Sequence, residues 1–240
     1  MKRILKYTLS LLLLIQLISS LSAQQQKGTR VRGPRIGYDL ASLTLLYFEP
    51  ERKIHTFSVD YEAWQDIYPV MEFGIQNVEI DRENYHYVSN GIFARGGVDL
   101  NLMQYEHHNV YEMFYAGLRY GIAYMTHQAE NINIPEEYFG GLYGGGGPEV
   151  DNQANAHWIS LVGGIRAELF KNVFIGWSVL ANIKIAQMED PNMTPYNIPG
   201  FGKGDKRATI IINYTIAYRL PLQWYNPKKI VKKRSIPEEE

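Results

Sequence analysis

Over residues 209–220 the side-chain character changes with every position. Ile210, Ile212, Tyr214, Ile216, Tyr218 and Leu220 fall on one face; Thr209, Asn213, Thr215, Ala217 and Arg219 fall on the other, and Ile211 is the break. A period of two is the period of a β-strand, whose successive side chains point to opposite sides of the sheet. The pattern recurs upstream. Ile159, Leu161, Ile165 and Leu169 oppose Ser160, Gly164, Arg166 and Glu168, and after Lys171-Asn172 the apolar row resumes at Val173, Ile175, Trp177, Val179, Ala181, Ile183 and Ile185 against Ser178, Asn182 and Lys184. Asn tolerates the positive φ that a two-residue hairpin turn requires, so Lys171-Asn172 is predicted to be such a turn. Phe114, Leu118, Tyr120, Ile122 and Tyr124 alternate with Gly117, Arg119, Gly121 and Ala123, and Ile92, Ala94, Val98, Leu100 and Leu102 with Arg95, Gly97, Asp99 and Asn101. Earlier strands are predicted near residues 70–80 and 54–63, and a first one over 35–39. Residues 40–48 slip phase, which fits a bulge, a short helical turn or a strand buried on both faces. The count is eight strands, with ten as the alternative.

The chemistry of the two faces narrows the architecture. The polar face carries Asp60, Glu62, Glu72, Asp99 and Glu168 together with Arg95, Arg119, Arg166, Lys184 and Arg219. Burying each ion alone in an apolar core would cost several kcal/mol or more, so these residues are expected to line a polar lumen in which opposite charges pair. The apolar face then meets lipid, and closure of the sheet satisfies every backbone N–H and C=O that hydrocarbon would leave orphaned. The predicted fold class is all-β, a closed antiparallel transmembrane β-barrel. Eighteen Tyr, four Trp and 21 Gly suit aromatic belts and closely packed strands. Connection lengths point the same way. Long stretches at residues 127–155 and 188–206 follow odd-numbered strands and the tightest turn follows an even one, as in barrels with long outer loops and short periplasmic turns.

The chain opens with Met1-Lys2-Arg3, an apolar run centred on residues 11–15, and Ser19-Ser20-Leu21-Ser22-Ala23. This is the order of a cleaved signal peptide, so the expected organisation is a signal peptide at 1–23, a periplasmic segment at 24–34, the barrel at 35–222 and a charged periplasmic tail at 223–240. Cysteine is absent, which excludes a disulfide framework and a lipid-bearing Cys. A formal net charge of −1 lacks the basic excess typical of nucleic-acid binding. The tail holds Lys228-Lys229, Lys232-Lys233-Arg234 and Glu238-Glu239-Glu240, charge blocks that suit solvation or contact with an envelope partner.

Taken together, Gly163-Gly164-Ile165-Arg166-Ala167-Glu168-Leu169-Phe170-Lys171-Asn172-Val173-Phe174-Ile175-Gly176-Trp177, the upstream Gly117-Leu118-Arg119-Tyr120-Gly121 and the opening Arg35-Ile36-Gly37-Tyr38-Asp39-Leu40 resemble the uncharacterised small outer-membrane β-barrel families. So do Glu49-Pro50-Glu51-Arg52-Lys53 and Ser58-Val59-Asp60-Tyr61. The resemblance implies an outer-membrane location and a barrel fold. It brings no active-site residue with it.

Other chemistry is weaker. Gly140-Gly141 and Gly144-Gly145-Gly146-Gly147 lack the Gly-Lys-Ser/Thr and the helix start of a phosphate cradle. Tyr138, Phe139 and Tyr143 beside them are candidate outer-loop contacts for a partner. His107 and His108 are adjacent in a predicted turn; His127 and His157 bracket the longest loop and could meet at the outer rim with Glu130 or Glu136, the one arrangement here suggesting a metal or hydrolytic site. Solvated loop residues are the default reading, so no catalytic residue, metal or cofactor is assigned. An eight-stranded barrel is filled by its own side chains. The expected function is therefore a plugged barrel with a structural or interaction role in the envelope, in contact with outer-membrane lipid. A narrow porin and a lipid-modifying enzyme are the alternatives.

Overall fold

The computed structural model describes residues 33–82, 85–103, 112–130, 133–134, 145–146, 150–188 and 194–221. The signal peptide, nearly all of segment 24–34, the charged tail, His107, His108, Glu136, Tyr138, Phe139 and Tyr143 lie outside these residues. In chain order the strands are β1 (Arg35–Asp39), β2 (Arg52–Asp60), β3 (Ile67–Arg82), β4 (Tyr85–Asn101) and β5 (Met113–Glu130), then the two-residue β6 (Asn133–Ile134) and β7 (Gly145–Gly146). They continue with β8 (Val150–Phe170), β9 (Val173–Gln187), the short β10 (Asn197–Ile198) and β11 (Gly202–Lys203), and β12 (Ala208–Arg219). A helix, α1 (Ala41–Phe48), stands between β1 and β2. Eight strands close a barrel in the order β1-β12-β9-β8-β5-β4-β3-β2, every neighbour antiparallel. The strand count is thus eight, and β6/β7 and β10/β11 are separate two-stranded ladders.

The phase slip after β1 is resolved as the helix, and Asp39 makes the change of structure. Its carboxylate accepts the amide of Ala41 at 3.1 Å, as an N-capping side chain does, and the amide of Tyr214 on β12 at 2.9 Å. Ser42 returns a hydroxyl bond to the Asp39 carbonyl at 2.5 Å. The β1–β12 register therefore ends at Asp39 opposite Thr215, although β12 runs on to Ala208. On the other side β1 ends opposite Phe57, although β2 begins at Arg52. The barrel is closed by a five-residue strand, and α1 packs against β2 and β12 beyond its end.

Outward positions form an apolar band with a clear limit. On β5 they read Phe114, Ala116, Leu118, Tyr120, Ile122 and Tyr124, then Thr126, Gln128 and Glu130; on β3 they read Ile67, Pro69, Met71, Phe73 and Ile75, then Asn77, Glu79 and Asp81. The apolar stretches match the roughly 9–11 residues that a tilted strand needs to cross a bilayer, and the strands continue past them as polar ribbon. This explains a departure from the expected connection lengths. The link between β3 and β4 is only two residues, at the end that also bears the long connections, because strands of 16 and 17 residues replace the loop there. At the opposite end the β8–β9 turn is the two-residue Lys171-Asn172, with Asn172 at φ 67° as expected, while the β4–β5 connection spans residues 102–112.

Candidate functional site

The inward positions hold the charges. Glu72 and Arg95 face each other across β3 and β4, with Nε and Oε2 2.7 Å apart. Arg119 of β5 reaches the second oxygen of Glu72 at 2.5 Å and grips both oxygens of Asp99 at 2.8 and 3.1 Å. Beside this group, Asp60 of β2 receives Arg35 of β1 at 2.5 and 2.7 Å and Arg166 of β8 at 3.3 Å. All seven side chains are buried or nearly so, and they come from six of the eight barrel strands. The result is an ionic layer across the lumen in which each carboxylate has a guanidinium partner. Removing one member leaves the others as uncompensated buried charge.

Glycine and aromatic residues make this layer fit. Arg119 lies opposite Gly97, and Asp99 opposite Gly117, in the β4–β5 register. A Cβ on Gly97 would strike the backbone and Cγ of Arg119, and one on Gly117 would strike the Asp99 carboxylate. The guanidinium planes also lie over rings: Arg35 over Tyr68 at 4.8 Å, Arg166 over Tyr115 at 5.4 Å and Arg95 over Phe93 at 5.1 Å, an arrangement that favours a cation with few waters.

Four of the residues predicted for the lumen lie apart from that layer. At the turn end, Arg219 pairs with Glu168 at 2.9 Å, bonds Asn172 Oδ1 at 3.0 and 3.1 Å, and sits over Phe174 at 4.9 Å. Lys184, near the opposite end, donates to the Gly204 carbonyl and to Gln187 Oε1, both at 2.6 Å, so it ties a loop and joins no carboxylate among the described residues. Glu62 is buried just past the end of β2. The ionic layer thus unites Asp60, Glu72, Arg95, Asp99, Arg119 and Arg166 with Arg35, which the pattern alone placed only at a strand start.

Above the layer the lumen closes a second time, with apolar groups. The connection after β9 folds inward so that Pro195, Asn197, Ile198, Pro199, Gly200 and Phe201 are buried. Phe201 meets the fully buried Trp158 edge to face at 5.8 Å, within a cluster that includes Phe93, Ala123, Met125, Ala154 and Ala156. Gly121 opposite Trp158 leaves no room for a Cβ, and Gly200 adopts φ +70° against the Phe93 ring. Asn182 donates to the Phe201 carbonyl at 3.2 Å, and Arg95 to that of Gly200 at 3.4 Å, so the cover is hydrogen-bonded to the ionic layer beneath it.

The histidine pair does not assemble. His127 is buried on the inner face, 6.4 Å ring to ring from Tyr87, whereas His157 is on the outer face and bonds Tyr120 Oη at 2.7 Å. In the β5–β8 ladder His127 faces Asn152 and His157 faces Ile122. His86 lies 3.7 Å from Asp81 at the rim. Among the described residues no group of three His, Asp or Glu side chains could hold a metal. Part of the glycine-rich segment, Gly145–Gly146, pairs with Asn133–Ile134 as β7 with β6.

Compared with models of protein families, residues 4–224 match the one described as "Domain of unknown function (DUF6048)". A search of curated proteins finds no match.

Proposed function

This chain belongs to the DUF6048 family of proteins, and for it we propose an integral outer-membrane β-barrel with a plugged lumen, serving a structural or interaction role in the cell envelope. The observation that carries the reading is the ionic layer from Arg35 to Asp99. Its charges are spent on one another, as suits a scaffold better than a conduit or a catalyst. The outward apolar band supports lipid contact, and the signal-like leader supports export and cleavage. Partners would engage the long outer connections or the charged tail.

Two measurements test this. Fractionation of cells should recover the chain in the outer membrane with heat-modifiable migration. The purified barrel in a planar bilayer should then be electrically silent, whereas stable, salt-dependent current steps would replace the plugged scaffold with a narrow pore.

A further inference from the structure

The shortness of β1 leaves a place in the wall where two strand edges face each other unjoined. Between Arg52–Thr56 of β2 and Ala208–Asn213 of β12 no barrel strand intervenes among the described residues. A cavity of about 780 Å³ occupies this place, a size within the roughly 300–1,000 Å³ range of small-molecule pockets. Its walls differ in chemistry. Its apolar side is formed by Ile210 and Ile212 of β12 and by Phe48 at the end of α1. Ile210 is 73% exposed and Phe48 77%, far more than packing within the barrel would leave them. Toward the outer end lie four cations, Arg52, Arg82, Lys203 and Lys206, against two carboxylates, Glu49 and Glu51.

The cations are unequally committed. Arg82 is held by Glu51 at 2.8 Å, and Lys206 by Asp205 at 3.0 Å. Arg52 stands 3.8 Å from Glu49, and its buried Nε has no hydrogen-bond partner among the described residues. Lys203 makes no ion pair among them. An apolar path that opens sideways and ends in surplus positive charge suits a molecule with an acyl chain and an anionic head. A free anion would leave the isoleucines and Phe48 bare, and a hydrocarbon would leave the cations unmatched.

We propose that this lateral cleft binds one phosphate-bearing lipid, its head on Arg52 and Lys203 and its chain leaving between β12 and α1 into the bilayer. The proposal rests on the outer-membrane reading given above. It adds a ligand class that the plugged lumen does not require.

The test is native mass spectrometry of the full barrel in neutral detergent, titrated with dipalmitoyl phosphatidylglycerol, dipalmitoyl phosphatidylcholine and glycerol phosphate in turn. One phosphatidylglycerol should be retained per chain, about tenfold more tightly than phosphatidylcholine, with glycerol phosphate not retained. Lys203→Glu combined with Lys206→Glu, both exposed positions, should abolish the preference for the anionic head. Ile210→Glu should weaken both lipids. Equal retention of the two lipids would overturn the role of the cations, retention of glycerol phosphate would make the site one for a free anion, and a folded barrel that keeps no lipid would overturn the cleft as a site. Heat-modifiable migration and outer-membrane fractionation are read separately, so a chain recovered outside the membrane sinks the membrane reading, not merely the lipid.

Discussion

Arg119 on β5 reaches past β4 to Glu72 on β3, 2.5 Å away, while holding Asp99 of the intervening strand at 2.8 Å. One guanidinium thus ties three strands and bridges two carboxylates that would otherwise repel, sharing Glu72 with Arg95 and holding Asp99. Arg119→Met is expected to cost about 3–5 kcal/mol, because both carboxylates stay buried without it. Urea unfolding of the refolded barrel checks this. Adding Asp99→Asn to Arg119→Met should restore part of the loss, since Asp99 is the carboxylate left without its guanidinium while Glu72 keeps Arg95. An unchanged midpoint in the single variant would mean that the ionic layer is solvated and does not seal the lumen.

Trp158 and Phe201 form the upper cover, and Trp158→Ala is expected to destabilise the barrel by about 3–5 kcal/mol as an aromatic-to-alanine truncation of a packed site. The variant should still be silent in a planar bilayer, because the ionic layer beneath is untouched. Current steps in Trp158→Ala alone would assign the seal to the aromatic cover instead.

At the β8–β9 turn, backbone and side chain of Asn172 act separately. Its φ of 67° suits Asn or Gly, and its Oδ1 holds Arg219. Asn172→Gly should lose only the side-chain bonds. Asn172→Val should lose those and add about 1–2 kcal/mol of left-handed strain. Thermal or urea midpoints in the order wild type, Gly, Val are expected, and a Val variant as stable as the Gly variant would contradict the turn geometry.

Asp39 ends the β1 ladder by accepting amides from both Ala41 and Tyr214. Asp39→Ala should cost about 0.5–2 kcal/mol, the range for loss of a capping side chain. It should also speed amide hydrogen exchange at Tyr214 and in the first turn of α1, with Asp39→Asn close to wild type. Exchange unchanged in Asp39→Ala would show that the seam is held by other contacts.

Much of this arrangement can be read from alternation alone, because strand parity decides which side chains share a face. Six of the ten predicted lumenal residues meet in one layer, and Arg219 and Glu168 pair at the turn end. Parity also argues against the histidine site. Counting by twos from Tyr124 puts His127 inside, and counting from Ile159 puts His157 outside, so their nearness to one long loop could not bring them together. What alternation could not supply was contact between distant segments. Trp158 reads as one large residue on a face of small ones until residues 195–201 fold down to meet it. Helix α1 was hidden for another reason: its apolar sequence has no polar face, so neither period stands out.

The five rungs that join β1 to β12 also bear on the order in which the barrel can be made. Every other barrel pairing links strands that follow one another along the chain, so each can form as a hairpin from a nearby segment. The last pairing sets Arg35 against Arg219 and must gather nearly the whole intervening chain. Its loop-closure entropy is the largest of the eight and the hydrogen bonds that offset it are few. The nascent sheet therefore has reason to stay open until its end, with Ile36, Gly37 and Tyr38 governing the final zippering while the six pairings that do not include β1 form without them.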